Sequence, residues 1–331
     1  MSAVTVDAPA GIATRRRSPW PAFVARRVLR LVIGIIVVVT ASFLVMQLVP
    51  GDPVRLSLGP SAPLSLVQQR RADLGLDDSL IVQYLNYWKG VFTGNFGTSI
   101  LTQQSVTSII TSRIWNTVTL VAIALGLTLF FAVAIGVTVG GVTHNGRRPR
   151  LLAAYRIVAS TLNVVPEYLY GVALVVIFAV TLKLLPVAGD DGFKSLILPS
   201  LAISLAPIAG LSRIVRVQTE EVLSQEYIQF ARSKRLPALR IYWRHALPNL
   251  LTSALTVGGI LLAVLVASTV VVENVFALPG LGSTVVTAIT QRDYPLAQGV
   301  LLILGGSVVL VNLIIDVIVS LLDPRSLMRE S

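Results

Sequence analysis

The four lysines and two histidines of this 331-residue chain show first which chemistry the sequence lacks. A phosphate-binding loop needs Gly-Lys-Ser/Thr, so that backbone N–H groups and a lysine can surround the phosphates. None of the lysines follows a glycine; they are Lys89, Lys183, Lys194 and Lys234. The chain therefore cannot hydrolyse ATP with a P-loop, and energy for any work must come from a partner or an ion gradient.

The histidines and the cysteine count exclude two further kinds of site. His144 and His245 fall in polar, basic stretches between apolar runs, so a serine–histidine hydrolase site inside a membrane is not expected. The chain has no cysteine, which excludes disulfides and thiolate metal sites. We predict neither a metal site nor an enzyme activity for the chain itself.

Polar groups in the last apolar run are functional candidates, because burying a charge in lipid costs several kcal/mol. Asn312 and Asp316 are four residues apart and can share one face of a helix. Asp316 either pairs with Arg213, Arg216 or a neighbouring subunit, or lies on a substrate path. An ion-driven carrier would be expected to show several such groups, and Asp316 is the one that is well placed.

Two other acidic residues stand where helices are expected to break or end. Glu167 follows Pro166, which interrupts the helical hydrogen bonds, so this pair either eases a bend or faces a cavity. Glu273 lies at the end of the fifth apolar run, as an interfacial residue or a gate. The stretch after it is interpreted as a gate, a re-entrant turn or a tight interhelix turn. Its candidate residues are Phe276, Pro279, Gly280 and Gly282.

The composition predicts a protein that crosses a membrane several times. The chain is 54% hydrophobic and 13% charged, whereas soluble domains carry about 25% charged residues. Its mean hydropathy is +0.78. We attribute the net charge of +11 to cytoplasmic arginines, following the positive-inside rule, and expect no nucleic-acid partner.

Six apolar runs predict an all-α fold of six transmembrane helices with both termini in the cytoplasm. The first run, 31–49, is free of charge and long enough to cross a hydrocarbon core of about 30 Å. The later runs are approximately 114–142, 157–182, 196–217, 250–272 and 301–322. The chain divides into a cytoplasmic tail (1–27), a first transmembrane helix (28–49), an extracytoplasmic segment (50–113) and a five-helix transmembrane domain (114–331).

The extracytoplasmic segment is predicted to contain two short helices. Ser65 and Gly75 would begin and end the first, and Asp77 or Asp78 would cap the second. The second helix carries an aromatic cluster, Tyr84, Tyr87 and Trp88. We interpret this cluster as a small core on the membrane surface, as a docking surface for an extracytoplasmic partner, or as both.

The most strongly charged stretch, 219–248, separates the fourth and fifth runs. Leu236-Pro237 predicts a break between two short helices, and Pro248 can open the next span. At helical spacing the first short helix places four residues near one face. They are Tyr227, Phe230, Ala231 and Lys234.

This stretch resembles the cytoplasmic coupling motif of bacterial ABC-importer permeases. Gln229-Phe230-Ala231 matches its first part and His245-Ala246-Leu247-Pro248 its last, with Arg235 at the glycine of the motif and His245 at its isoleucine. The peptide-importer form, Tyr-Val-x-x-Ala-Arg-x-Lys-Gly followed by Arg-His-Ala-Leu, fits better. The residues that this resemblance assigns to ATPase coupling are Glu226, Tyr227, Phe230, Ala231, Arg232, Lys234, Arg235, His245, Leu247 and Pro248.

Further short motifs extend the resemblance over most of the chain. They are Val49-Pro50-Gly51-Asp52-Pro53, Gly94-Asn95-Phe96-Gly97, Val275–Gly282, Arg292-Asp293-Tyr294-Pro295 and Asp323-Pro324-Arg325. In this order they are similar to the first of the two permeases in dipeptide/oligopeptide importers. That family implies a type I ABC importer permease fold and a place in the bacterial cytoplasmic membrane.

The resemblance also implies partners. They would be a second homologous permease, two ATP-binding subunits or domains, an extracytoplasmic substrate-binding protein and the lipid bilayer. ATP and magnesium would bind the partners, so no cofactor is expected in this chain. A peptide is the expected substrate, with glutathione, a nickel chelate or an oligosaccharide as alternatives. An ion-driven secondary transporter is the remaining alternative.

Overall fold

The computed structural model describes residues 20–59, 61–187, 189, 192–234, 237 and 247–322. Within these ranges the chain is helical, apart from connections and an isolated β-bridge between Thr98 and Ser105. The helices are α1 (Trp20–Leu48), α2 (Pro53–Leu58), α3 (Leu64–Asp73), α4 (Leu80–Thr93), α5 (Val106–Thr143), α6 (Pro149–Val164), α7 (Glu167–Leu174), α8 (Phe193–Ser224), α9 (Glu226–Ser233), α10 (Leu247–Val275), α11 (Leu281–Thr290) and α12 (Tyr294–Leu322). A π-helical turn, Val175–Thr181, continues α7.

The spans agree with the six predicted from the sequence. In the described ranges, α1, α5, α8, α10 and α12 are each long and apolar enough to cross a membrane. The pair α6 and α7 passes the same test together but is bent by 98°. The break falls at Val165 and Pro166, where proline was predicted to interrupt the helix. Counting the bent pair as one span gives six.

Contacts between the spans show that α5 and α8 run in the same direction and that α1 and α12 run in opposite directions, which defines two sides of the molecule. The α4 side carries α2, α3, α4 and α11, together with the first turns of α5, α8 and α12. The α9 side carries α9 and the first turns of α1, α6 and α10. These two names are used below without assigning either side to a compartment.

Helices α5 and α8 form the central contact of the fold. Small residues recur on α5, and a Cβ added at Gly136 would lie 2.6 Å from Val215 Cβ. One turn further along, a Cβ at Gly140 would lie 2.8 Å from Thr219 Cβ. Small residues four apart allow the two backbones to approach closely, as is common between membrane helices.

Helix α1 packs on the outside of this bundle, against α12. Glycines on both helices allow the approach: Gly34 faces Val309, and Gly305 faces Val38. Most other apolar side chains of α1 are exposed, among them Ile36, Val37 and Leu44. Helix α1 is therefore a peripheral helix, and a broad apolar surface remains open to the bilayer.

The caps of the two short helices differ from the prediction. Helix α3 begins at Leu64 with Pro63 at its N-cap, so the prediction of Ser65 as the cap is wrong. The prediction of Asp77 or Asp78 is also wrong, because Ser79 caps α4 by accepting a hydrogen bond from Val82 N. Gly75 follows the last turn of α3 with φ of +65°, as expected of a glycine that ends a helix.

Two polar contacts tie the α4 side together, and the first of them is buried. Asp293, just before α12, accepts hydrogen bonds from the Ser99 hydroxyl and from Ile100 N, the latter at 3.1 Å. Tyr87 of α4 donates to the carbonyl of Gln298 in the second turn of α12, at 3.1 Å.

Candidate functional site

Glu273, in the last turn of α10, is buried, with 1% of its surface exposed. Its carboxylate accepts a hydrogen bond of 2.6 Å from the Thr117 hydroxyl of α5. The other oxygen accepts one of 3.0 Å from the backbone N–H of Ser283, in the first turn of α11. We call Glu273, Thr117 and Ser283 the Glu273 site. It joins three helices through one carboxylate.

The chemistry of the Glu273 site explains its partners. The first N–H groups of a helix have no partner within the helix and attract negative charge. Glu273 satisfies one of them, and the Thr117 oxygen accepts from another, Leu281 N, at 2.8 Å. Arg113 is also near and donates to Thr284 at 2.8 Å. The carboxylate is thus a cap that α10 supplies to α11.

The glycine-containing stretch after Glu273 is a tight interhelix turn, one of its three predicted interpretations. A Cβ on Gly282 would lie 2.6 Å from Val270 Cα, so no other residue fits there without moving α11 from α10. A Cβ on Gly280 would meet the Glu273 carboxyl group. The Pro279 carbonyl accepts from Asn116 at 3.0 Å. Phe276 is fully buried, and its ring lies beside Gly171 of α7.

Pro166 and Glu167 lie at the sharp bend between α6 and α7. Glu167 is the first residue of α7, where its charge favours the positive end of the helix. In the described part of the chain its carboxylate accepts a hydrogen bond of 2.6 Å from Ser268 of α10. Tyr170 closes the bend by donating to the Leu162 carbonyl at 2.6 Å. Glu167 remains half-exposed, next to a break in the helix.

Of the polar pair predicted on the last span, the structure describes the side chain of one residue. Asn312 of α12 is exposed. Asp316 lies in the same helix, but its side chain is outside what the structure describes. Arg216, one of the partners predicted for Asp316, is buried and pairs with Glu220 at 2.8 Å.

Helix α9 holds the first half of the predicted coupling segment and has two different faces. Ala231 is 6% exposed and packs with Ile228 and with Leu223 of α8. Phe230 is 62% exposed, with Lys234 Nζ 4.5 Å from its ring centre. Tyr227 is exposed on the same side as Phe230. Ala231 was predicted to share their face, but it turns towards α8.

Other predicted coupling residues are described only in part. Glu226 begins α9 and Leu247 begins α10. Pro248 is the second residue of α10 and Arg232 lies within α9, and the side chains of both fall outside the description. Arg235 and His245 lie outside the described residues, as does the second short helix predicted after Pro237.

Three residues have structural roles that were not predicted from the sequence. Gly136 and Gly140 form a Gly-x-x-x-Gly pattern on the second span, a signal that can be read from spacing alone. Thr117 carries no such signal, because its partner Glu273 is 156 residues away. Its role depends on tertiary contact.

The fold and the site define the class of protein. It is a polytopic helical membrane protein in which a short helix, α11, is hydrogen-bonded to the end of the helix bundle. A family described as the inner membrane component of binding-protein-dependent transport systems matches residues 132–327, and the N-terminal part of such components matches residues 21–121. The chain belongs to this family, and it is a multi-pass inner-membrane protein of bacteria.

Individual relatives cover nearly the full length. A probable peptide ABC transporter permease of Sinorhizobium fredii is 35% identical, over 92% of this chain and 98% of that protein. A putative peptide transport system permease of Brucella abortus is 34% identical, over 92% and 98%. A glutathione transport system permease of Salmonella typhimurium is 33% identical, over 91% and 97%.

A solved structure shows the same fold at lower similarity. A chain of the MetNI methionine ABC transporter, in an inward-facing conformation, superposes with a TM-score of 0.51. The match covers 65% of this chain and 96% of that chain, at 20% identity. The fold is therefore that of an ABC importer permease.

Proposed function

We propose that this chain is one of two permease subunits of an ATP-driven peptide importer. The observation that carries the proposal is the full-length similarity to peptide transport permeases, which continues across the coupling segment. Since the sequence contains no P-loop, we propose that two ATPase partners bind ATP and magnesium and that this chain has no enzyme activity.

We propose that the α9 side faces the cytoplasm and the α4 side faces outward. Arginine supports this orientation, since Arg147 and Arg148 lie in the short connection before α6 and Arg150 lies in its first turn, all on the α9 side. The α2–α4 segment would then receive a substrate-binding protein outside the cell. The absence of native cysteine provides a direct test: Thr93→Cys should react with an impermeant thiol reagent in intact cells, and Asn145→Cys should not.

We propose that the exposed face of α9, with Tyr227 and Phe230, and Lys234 directly after the helix contact an ATPase partner. Its opposite face packs on α8 through Ile228 and Leu223, so a displacement of α9 would be transmitted into a membrane span. ATP-driven closure of the partners would then bias the permease pair between inward and outward openings. The second permease would complete the path.

The test is accumulation of a labelled dipeptide in vesicles containing the whole assembly, with ATP on the α9 side. Uptake should require the binding protein, both permeases and the ATPases. It should persist when the proton gradient is collapsed and stop when the catalytic carboxylate of the ATPase is removed. Uptake driven by a pH gradient without ATP would refute the mechanism and favour a secondary transporter.

Glutathione is a second candidate cargo, favoured by the similarity to the glutathione permease. Competition distinguishes the two: excess unlabelled glutathione should leave dipeptide uptake unchanged if the importer is selective for ordinary peptides. ATP-dependent uptake of glutathione, a metal chelate or a sugar in place of dipeptides would preserve the mechanism and refute only the proposed cargo.

A further inference from the structure

We infer that α4 is an interfacial helix that binds the lipid leaflet on the α4 side. One sector of α4 packs on α1, the neighbouring apolar sector inserts into the leaflet, and the third, polar sector faces water. The inference concerns a lipid-binding surface and does not depend on the cargo or on the energy source.

The first sector is fixed by contacts with α1. The hydroxyls of Tyr84 and Thr40 are 2.8 Å apart, and those of Tyr87 and Ser42 are 2.9 Å apart. Between these pairs, the ring of Phe43 lies 5.3 Å from that of Tyr84 and 6.1 Å from that of Tyr87. These interlocked contacts set both the position of α4 along α1 and its rotation about its own axis.

The same contacts set the depth of α4 relative to the membrane. The apolar span of α1 extends to Leu48. At 1.5 Å per residue, Thr40 lies roughly 12 Å and Ser42 roughly 9 Å inside that end. Tyr87 also reaches the Gln298 carbonyl, within the span of α12. A tyrosine side chain is too short to reach these depths from a helix well above the membrane, so α4 must lie at its boundary.

The second sector is apolar and open. With 100° per residue, Ile81, Leu85, Trp88 and Phe92 fall within an arc of about 60°. Ile81 is 73% exposed, Leu85 59% and Phe92 81%. The Trp88 and Phe92 rings stack at 5.5 Å, and aromatic side chains are enriched at the level of lipid headgroups. Exposed apolar clusters of this kind mark a surface that another apolar phase covers.

The apolar sector of α4 adjoins an exposed apolar surface of α1, and this identifies the apolar phase that covers it as lipid. Leu44, Val45 and Leu48 on α1 are also exposed, at the end of the helix on which α4 lies. Lipid chains that cover a peripheral span at this level would also cover the adjoining sector of α4. The remaining sector carries Asn86, Lys89 and Thr93, together with Val82 in the first turn, all exposed, and Lys89 is the single charge of the helix. A long lysine stem at this border allows the ammonium group to reach lipid headgroups.

Spin labels on single cysteines test the inference, because the native chain contains none. The full chain, in the assembly with which it purifies, is labelled at Leu85→Cys or Phe92→Cys. Asn86→Cys and Thr93→Cys on the polar sector are the matched controls. After reconstitution into phosphatidylethanolamine–phosphatidylglycerol vesicles, collision rates are measured with oxygen, which partitions into lipid, and with a water-soluble nickel chelate.

Labels at positions 85 and 92 should collide preferentially with oxygen, at a depth of about 5–10 Å. Labels at positions 86 and 93 should collide preferentially with the nickel chelate. Preference for the chelate at all four positions would overturn the inference and indicate a surface for a soluble protein. Immobile labels at 85 and 92, shielded from both reagents, would overturn it in favour of a contact with another membrane subunit.

Discussion

Glu273 and Glu167 are both acidic residues at the ends of membrane helices, yet their surroundings differ. Glu273 is buried and joins α5, α10 and α11 through hydrogen bonds to both of its oxygens. Glu167 is half-exposed at a 98° bend, and within the described ranges its carboxylate is bonded to Ser268. The first carboxylate is enclosed by donors from two other helices, whereas the second is half-exposed beside a broken helix.

The difference separates two roles that a gate requires. A structure that changes shape needs elements that stay assembled and a place that absorbs the change in backbone angles. The Glu273 site is suited to hold its helices together during such a change, because moving its carboxylate would leave buried donors without partners. The bend at Pro166 and Glu167 has the character of a hinge. We therefore expect substitutions at the first to affect stability and those at the second to affect transport.

Gly282→Ala should give the largest effect. The added Cβ would meet the backbone of Thr269 and Val270, so α11 must separate from α10 and the Glu273 site must open. Overpacking of this kind costs typically 1–3 kcal/mol and occasionally more. We expect a clear fall in thermal stability and a loss of transport.

Gly306→Ala on α12 is the control for Gly282→Ala, since nothing lies within 4 Å of the Cβ it would add. Alanine is also a better helix former than glycine, so Gly306→Ala should not destabilise α12. Wild-type melting of the detergent-solubilised Gly282→Ala variant would contradict the packing of α11 described above.

Thr117→Val should have the next largest effect, because it keeps the shape and removes the hydroxyl. The change deprives Glu273 of one donor and Leu281 N of its acceptor. A buried group left without a partner costs about 1–3 kcal/mol. Thr111→Val is the control, because its exposed hydroxyl bonds the Ser108 carbonyl on its own helix. Equal stability losses for the two variants, measured by thermal unfolding, would mean that Thr117 does not support the site.

Much of this architecture can be predicted from sequence, but the roles of the two acidic residues cannot. The spans follow from apolar length, and the bend follows from Pro166, because both effects are local. The environment of Glu273 depends on Thr117, which belongs to another helix. The same reason explains Ala231: helical spacing places it beside Phe230, but contact with Leu223 decides which way α9 rotates.

Ser268→Ala addresses the hinge and should affect stability only slightly. It removes the hydrogen bond to Glu167, and such bonds between membrane helices contribute about 0.6 kcal/mol on average. We expect near-normal melting but a several-fold change in the rate of ATP-dependent uptake. The control is Ser307→Ala, whose hydroxyl bonds the Leu304 carbonyl on the same helix. An unchanged uptake rate would argue that Glu167 and Ser268 do not act in gating.

The smallest effect is expected at Asp52, a partly exposed acidic residue that lies outside the membrane spans. Burial alone raises the pKa of the Asp52 carboxyl, but hydrogen bonds from Val54 N and Arg71, together with the charge of Arg71, outweigh it and lower the pKa below 3.8. A lowered pKa means that the ionised form stabilises the fold. This contribution is complete above the unfolded value and is lost as the pH falls through the folded one.

Asp52→Asn isolates this charge, because asparagine also caps a helix and the bond to Val54 N can persist. Exposed ion pairs contribute about 0.2–1 kcal/mol, so α2 and α3 should exchange their amide hydrogens slightly faster in the variant at neutral pH. The difference should begin to shrink as the pH falls below about 4, the pKa of an unperturbed aspartate, and should disappear as the pH falls through the lower pKa of the folded protein. Asp52→Ala should lose the cap as well and exchange faster than Asp52→Asn at neutral pH. A difference between wild type and Asp52→Asn that grew on acidification would contradict the pairing with Arg71.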